Sequence, residues 1–109
     1  MAKYLFTATY TPAGAKGLMA EGGSAREKAV ERLVKSVGGK IESMYWAFGS
    51  TDYYLIAELP DAATAAALSL TVSASGAVQL GTTLLLTAKD LDEAAKRTPD
   101  YRAPGAKGK

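Results

Sequence analysis

Apolar and polar residues alternate through "KYLFTATY", residues 3–10. Tyr4, Phe6, Ala8 and Tyr10 fall on one side and Lys3, Leu5, Thr7 and Thr9 on the other, the period-two signature of a strand. Thr11-Pro12 then predicts a helical turn with Thr as N-cap and Pro at the first helical position. Gly14, Gly17, Gly22 and Gly23 predict that it stays short. The period changes to that of a helix at Val30, Leu33, Val34 and Val37, opposite the charged Lys28, Glu31, Arg32 and Lys35. Ser24 and Glu27 read as a capping box at its start, and Gly38-Gly39 as its stop. Residues 40–48 and 52–59 are two strands joined across Gly49-Ser50-Thr51, an antiparallel hairpin. Asp61 caps a second principal helix with Ala65, Leu68 and Val72 on one side, ended by Gly76. Residues 77–86 give a fourth strand, and Thr87 with Asp90 caps a last helix over 88–97, before Pro99.

The order β-α-β-β-α-β with an added C-terminal helix is that of an α+β ferredoxin-like sandwich, read as one domain over 1–98 with a flexible basic tail over 99–109. Right-handed crossovers place both principal helices on one face of the sheet. Simple alternation leaves both faces apolar. Ile41, Tyr45 and Ala47 oppose Met44, Trp46 and Phe48, while Tyr53, Leu55 and Leu59 oppose Tyr54 and Ile56. A sheet apolar on both sides needs two covers, and the simplest second cover is another copy of the same sheet, so a homodimer is expected.

Composition removes whole classes of chemistry. The chain contains neither cysteine nor histidine, which excludes thiolate nucleophiles, disulfides, imidazole metal ligands and Ser-His catalysis. No metal and no cofactor are expected. Acid–base work falls to Asp, Glu, Lys or Tyr. The formal charge is +2, but "RAPGAKGK" at the end supplies Arg102, Lys107 and Lys109 without an acid, and removing these three cations leaves the body at −1. A nucleic-acid partner is therefore not expected. The start "MAKYLFTATY" lacks the apolar core of a signal peptide. Ala62–Ala88 is uncharged for 27 residues, but it is rich in Ala, Ser, Thr and Gly, which suits a buried helix and strand better than a membrane span. The cytoplasm is the expected compartment.

The stretch from "KYLFTATYTPAGAKG" through "SMYWAFGSTDYYLIAELPD", with "ASGAVQLGTTLLLT" after it, resembles the bacterial GYD-domain proteins over about Lys3 to Pro104. The resemblance implies a dimeric α+β barrel, in which ferredoxin-like subunits pair through their sheets. It implies a fold rather than an activity. The segment matching the namesake Gly-Tyr-Asp hairpin is Phe48-Gly49-Ser50-Thr51-Asp52, where Gly49 and Asp52 are kept and Thr51 replaces the tyrosine.

Two functional classes are compatible with these residues. In the first, the chain is a non-catalytic or ligand-binding module, with a small organic molecule held among Tyr4, Tyr45, Trp46, Tyr53 and Tyr54, together with Phe6 and Tyr10. In the second, it is a cofactor-free enzyme of monooxygenase or isomerase type, as the wider barrel superfamily implies, with Asp52 as general base. Each residue also has a plainer reading: strands favour aromatics for packing, and an Asp beside a turn accepts backbone N–H groups. Arg26, in the first turn after "EGGS", is suited to a carboxylate or phosphate, although no phosphate-loop spacing surrounds it. Asp90, Asp92 and Glu93 complement a helix start and read as a solvated face. Glu42, Glu58 and Thr83 are polar strand positions that could face an interface or a pocket. The missing histidine, the commonest proton shuttle, favours the binding class.

Overall fold

A computed structural model describes residues 1–106 of the chain. Its elements are β1 (Ala2–Tyr10), α1 (Pro12–Glu21), α2 (Gly23–Ser36), β2 (Lys40–Trp46), β3 (Tyr53–Leu59), α3 (Ala62–Ala74), β4 (Val78–Leu85) and α4 (Ala88–Ala95). The four strands form one antiparallel sheet in the order β2-β3-β1-β4, the ferredoxin-like arrangement. Lys107 and Lys109 of the basic tail lie outside the described residues.

The two central strands set the core. In the β1–β3 register, Tyr4 faces Ala57, Phe6 faces Leu55 and Ala8 faces Tyr53. All six are buried, as are Leu59 on β3, Val34 on α2, and Ala65 and Leu68 on α3. The alternation in "KYLFTATY" thus places its even-numbered side under the helices.

Strand β2 departs from simple alternation. A bulge at Glu42, between the pairs Ile41–Ala57 and Ser43–Ile56, advances the strand by one residue. Ile41, Met44 and Trp46 therefore share the helix-covered face, packed against the core, and Tyr45 is left on the open one. The open face is consequently more polar than alternation predicts. At one end Lys3 pairs with Glu42 while Lys3 and Lys40 each face Glu58. Leu5, Ile56, Tyr54 and Tyr45 form an apolar band beyond it.

Helix α1 is longer than its glycines suggest, running ten residues. Thr11 accepts the Gly14 N–H at 3.1 Å, and Pro12 occupies the first turn, where no N–H is needed. The Ser24–Glu27 box at the start of α2 does not form. The helix begins two residues earlier, with Gly22 as N-cap at φ 87° and no side-chain bond. The other expected caps are present: Asp61 accepts from Thr64 N–H at 2.8 Å, and Thr87 and Asp90 make a reciprocal box. Helix α4 has no buried residue and projects from the body, consistent with overall extents of 61 × 31 × 22 Å.

Candidate functional site

A cavity of about 490 Å³ lies between the helix-covered face of the sheet and helices α1, α2 and α3. The sheet supplies Phe6, Ala8, Tyr10, Tyr53 and Leu55 to it, with Val78 and Leu80 from β4. Val30 and Leu33 of α2 and Leu68 and Val72 of α3 continue the apolar wall. Part of the space exists because three of the five α1 residues that line it are small, the others being Leu18 and Glu21. Ala13, Gly14 and Gly17 bring almost no side chain to it, and a Cβ built on Gly17 meets no atom within 4 Å. Gly14 is small for a different reason. A Cβ there would lie 1.9 Å from the Ala77 carbonyl oxygen, which accepts the Thr11 N–H at 3.0 Å and ties α1 to the start of β4.

The charged and phenolic groups of the cavity are Glu21, Arg26, Tyr10 and Tyr53, with Thr71 and Ser75 on the side of α3. Arg26, on the first turn of α2, reaches Glu21 at the end of α1 through one N–O contact of 3.4 Å, both side chains being 38 % exposed. Tyr53 is 6 % exposed, and its hydroxyl is buried without a hydrogen-bond partner. Burial pushes the phenol's pKa well above the usual range, the Tyr10 phenol adding to the effect and the Arg26 guanidinium opposing it. Tyr53 is therefore a neutral O–H donor at any physiological pH. Tyr10 accepts from Trp46 Nε1 at 3.0 Å, which leaves its own O–H to donate. A buried polar atom with no partner costs about 1–3 kcal/mol, and here that atom belongs to a residue lining a cavity.

The residues singled out from the sequence separate into three places. Arg26 and Tyr53 line the cavity, with Tyr10 and Phe6. Trp46 stands behind Tyr53, ring centroids 5.0 Å apart, and positions it from outside the cavity. Tyr4 is in the core and borders a separate open groove between α3 and β4, beside Ala65, Ser69 and Thr82. Tyr45 and Tyr54 face each other on the uncovered side of the sheet.

Asp52 is not among the cavity-lining residues. Its Oδ2 accepts the Tyr10 N–H at 2.8 Å, its N–H donates to Ala8 O at 3.0 Å, and its carbonyl accepts from Ala47 N at 2.9 Å. In the β1–β3 register Tyr10 would face Thr51, but the chain has already left the ladder there. The Asp52 carboxylate supplies the acceptor that the strand no longer offers. Phe48, in the same connection, adopts φ 55° and stacks on Tyr10 with centroids 6.4 Å apart.

Sequence reasoning did not anticipate α1 as a wall of the cavity, nor Glu21 as the Arg26 partner. One signal was available: Gly14 and Gly17 are spaced i, i+3 behind a Thr-Pro start, which puts two absent side chains on one helix face. Among the described residues no group of acidic side chains is gathered as metal ligands, and no helix is long and apolar enough to cross a membrane.

Comparison with known proteins adds one finding. No curated protein and no solved structure matches the chain. The family model of the GYD domain matches residues 4–95. With that match spanning the sheet, α1 to α3 and the whole cavity, the chain is a member of the GYD domain family.

Proposed function

We propose that this chain is a cytoplasmic homodimeric module that binds a small organic molecule in the cavity between its sheet and helices. The observation that carries the reading is a volume of about 490 Å³ walled by apolar side chains yet containing the unpartnered Tyr53 hydroxyl. Ligand sites commonly occupy about 300–1,000 Å³, are mostly apolar and hold a few convergent polar groups. A core that served packing alone would be closed by larger residues at Ala13 and Gly17, since unfilled volume costs stability.

The enzymatic alternative, with Asp52 as base, is less well supported. A general base must reach the proton it takes, and this carboxylate is occupied by the end of β1 rather than turned to the cavity.

The test is native mass spectrometry of the purified chain beside a Gly17→Trp variant. Gly17 lines the cavity at its exposed edge and a Cβ there meets no atom within 4 Å, so a bulky side chain can be introduced at the mouth without a backbone clash at Cβ. A bound small molecule on the wild type that disappears from Gly17→Trp is the expected result. No bound species, together with an unchanged melting temperature across a metabolite panel, would overturn the binding reading.

A further inference from the structure

We infer that the cavity selects a carboxylate-bearing molecule with an apolar body, its carboxylate seated against Arg26, Tyr53 and Tyr10. The inference rests on the reading of this cavity as a binding site and adds the chemical class of its occupant. Arg26, Tyr53 and Tyr10 all line the cavity, Arg26 and Tyr10 lie near enough to the Tyr53 phenol to act on its ionisation, and each has hydrogen to give. The Arg26 guanidinium carries five N–H donors in a planar fork, and Glu21 engages it through a single 3.4 Å contact. The Tyr53 hydroxyl has no partner, and the Tyr10 hydroxyl has used only its acceptor capacity. Such a cluster of donors favours a ligand that brings acceptors over a plain hydrocarbon.

Charge narrows the class further. Arg26 is the one cationic side chain among the lining residues, while Glu21 lies beside it and Glu27 is close enough to bear on the Tyr53 phenol. A monoanion that takes the place of Glu21 at Arg26 keeps a one-to-one pair with the guanidinium, whereas a phosphate dianion would bring a second charge that nothing in the cavity compensates. A carboxylate also matches the fork geometry of Arg, and Glu21, at long range and exposed, is readily displaced by it. Most of the remaining lining, including Phe6, Leu55, Val30 and Leu68, is apolar, with Thr71 and Ser75 polar at its exposed edge. The exposed rim runs along Ala13 and Gly17 of α1 and Thr71 and Ser75 of α3, which provides an entrance.

The experiment is isothermal titration of the full chain at pH 7 with two probes of equal chain length, octanoate and 1-octanol. Octanoate is expected to bind at least about tenfold more tightly, the advantage of charge-assisted over neutral hydrogen bonds. Arg26→Gln is expected to reduce octanoate to the affinity of 1-octanol and leave 1-octanol unchanged. Tyr53→Phe, which removes only the unpartnered hydroxyl, is expected to weaken octanoate several-fold without lowering the melting temperature; it remains informative if Arg26→Gln does not fold. Equal affinity for the two probes, or an octanoate advantage that survives both substitutions, overturns the carboxylate assignment while cavity binding stands. Failure of both probes to bind the wild-type chain overturns the assignment and the binding reading together.

Discussion

Gly14 and Gly17 sit one helical turn apart on α1 and answer to opposite constraints. At Gly14 the neighbour is a carbonyl oxygen, rigid and already engaged by Thr11. At Gly17 there is empty space, so only backbone entropy is at issue. Gly14→Ala is therefore expected to destabilise the fold by about 1–3 kcal/mol, as overpacking does, while Gly17→Ala stabilises it by about 0.5–1 kcal/mol. Urea denaturation of the two variants measures both signs, and a common direction would disprove the distinction. Asp52 presents a similar choice between chemistries. Asp52→Ala leaves the Tyr10 N–H without its acceptor and should cost about 1–3 kcal/mol in the same assay. Asp52→Asn retains an amide oxygen that can accept the same bond and should cost less. A destabilisation of Asp52→Asn equal to that of Asp52→Ala would show that the carboxylate's charge, rather than its geometry as an acceptor, is what the end of β1 requires.

At the scale of elements, sequence patterns succeeded where one local rule decided the outcome and failed where two rules competed. Asp61 had no rival as N-cap, and α3 begins after it as expected. Its carboxyl is held below the ordinary value of 3.8 by hydrogen bonds from the Thr64 hydroxyl and backbone N–H. A depressed carboxylate contributes stability above that ordinary value and loses it as pH falls through the depressed one. Asp61→Asn, which accepts but does not titrate, should thus show a shallower loss of urea midpoint on acidification, a comparison that parallel titrations from neutral pH to below 3.8 make directly. At the start of α2, by contrast, Ser24 competed with Gly22. Gly22 both ends α1, its N–H donating to Leu18 O at 2.8 Å, and opens α2, so the box lost to a tight helix–helix corner. The bulge at Glu42 was equally hidden, because its cause lies in the partner strand: Ile41, Met44 and Trp46 can all face the core only if one residue is skipped. The cavity combines both lessons. Its aromatic floor was legible on β1 and β3, but its wall depends on α1 running past its glycines, which the packing at Ala77 decides.

On the scale of the whole molecule, two surfaces have no cover among the described residues. One is the open sheet face, whose Leu5–Ile56–Tyr54–Tyr45 band adjoins a mixed-charge cluster of Lys3, Lys40, Glu42 and Glu58. The other is the projecting arm, with Leu86 and Leu91 more than half exposed. A twofold contact places each patch against its own copy, so a cluster carrying both signs can complement itself, whereas a patch of one sign would repel itself. In the proposed homodimer the arm would lie on the second subunit. Light scattering should accordingly give twice the 11.3 kDa chain mass. Ile56→Lys provides the sharper reading. It lies at the centre of the open face, opposite Leu5 and Ser43, so the charge is tolerated in a monomer and buried twice in a symmetric dimer. An unpaired buried charge costs several kcal/mol, and the substitution is expected to weaken association by about a hundredfold or more while the circular dichroism of the fold is preserved. A dimer that withstands Ile56→Lys would have to form through another surface, and wild-type chain of monomer mass would remove the homodimer altogether.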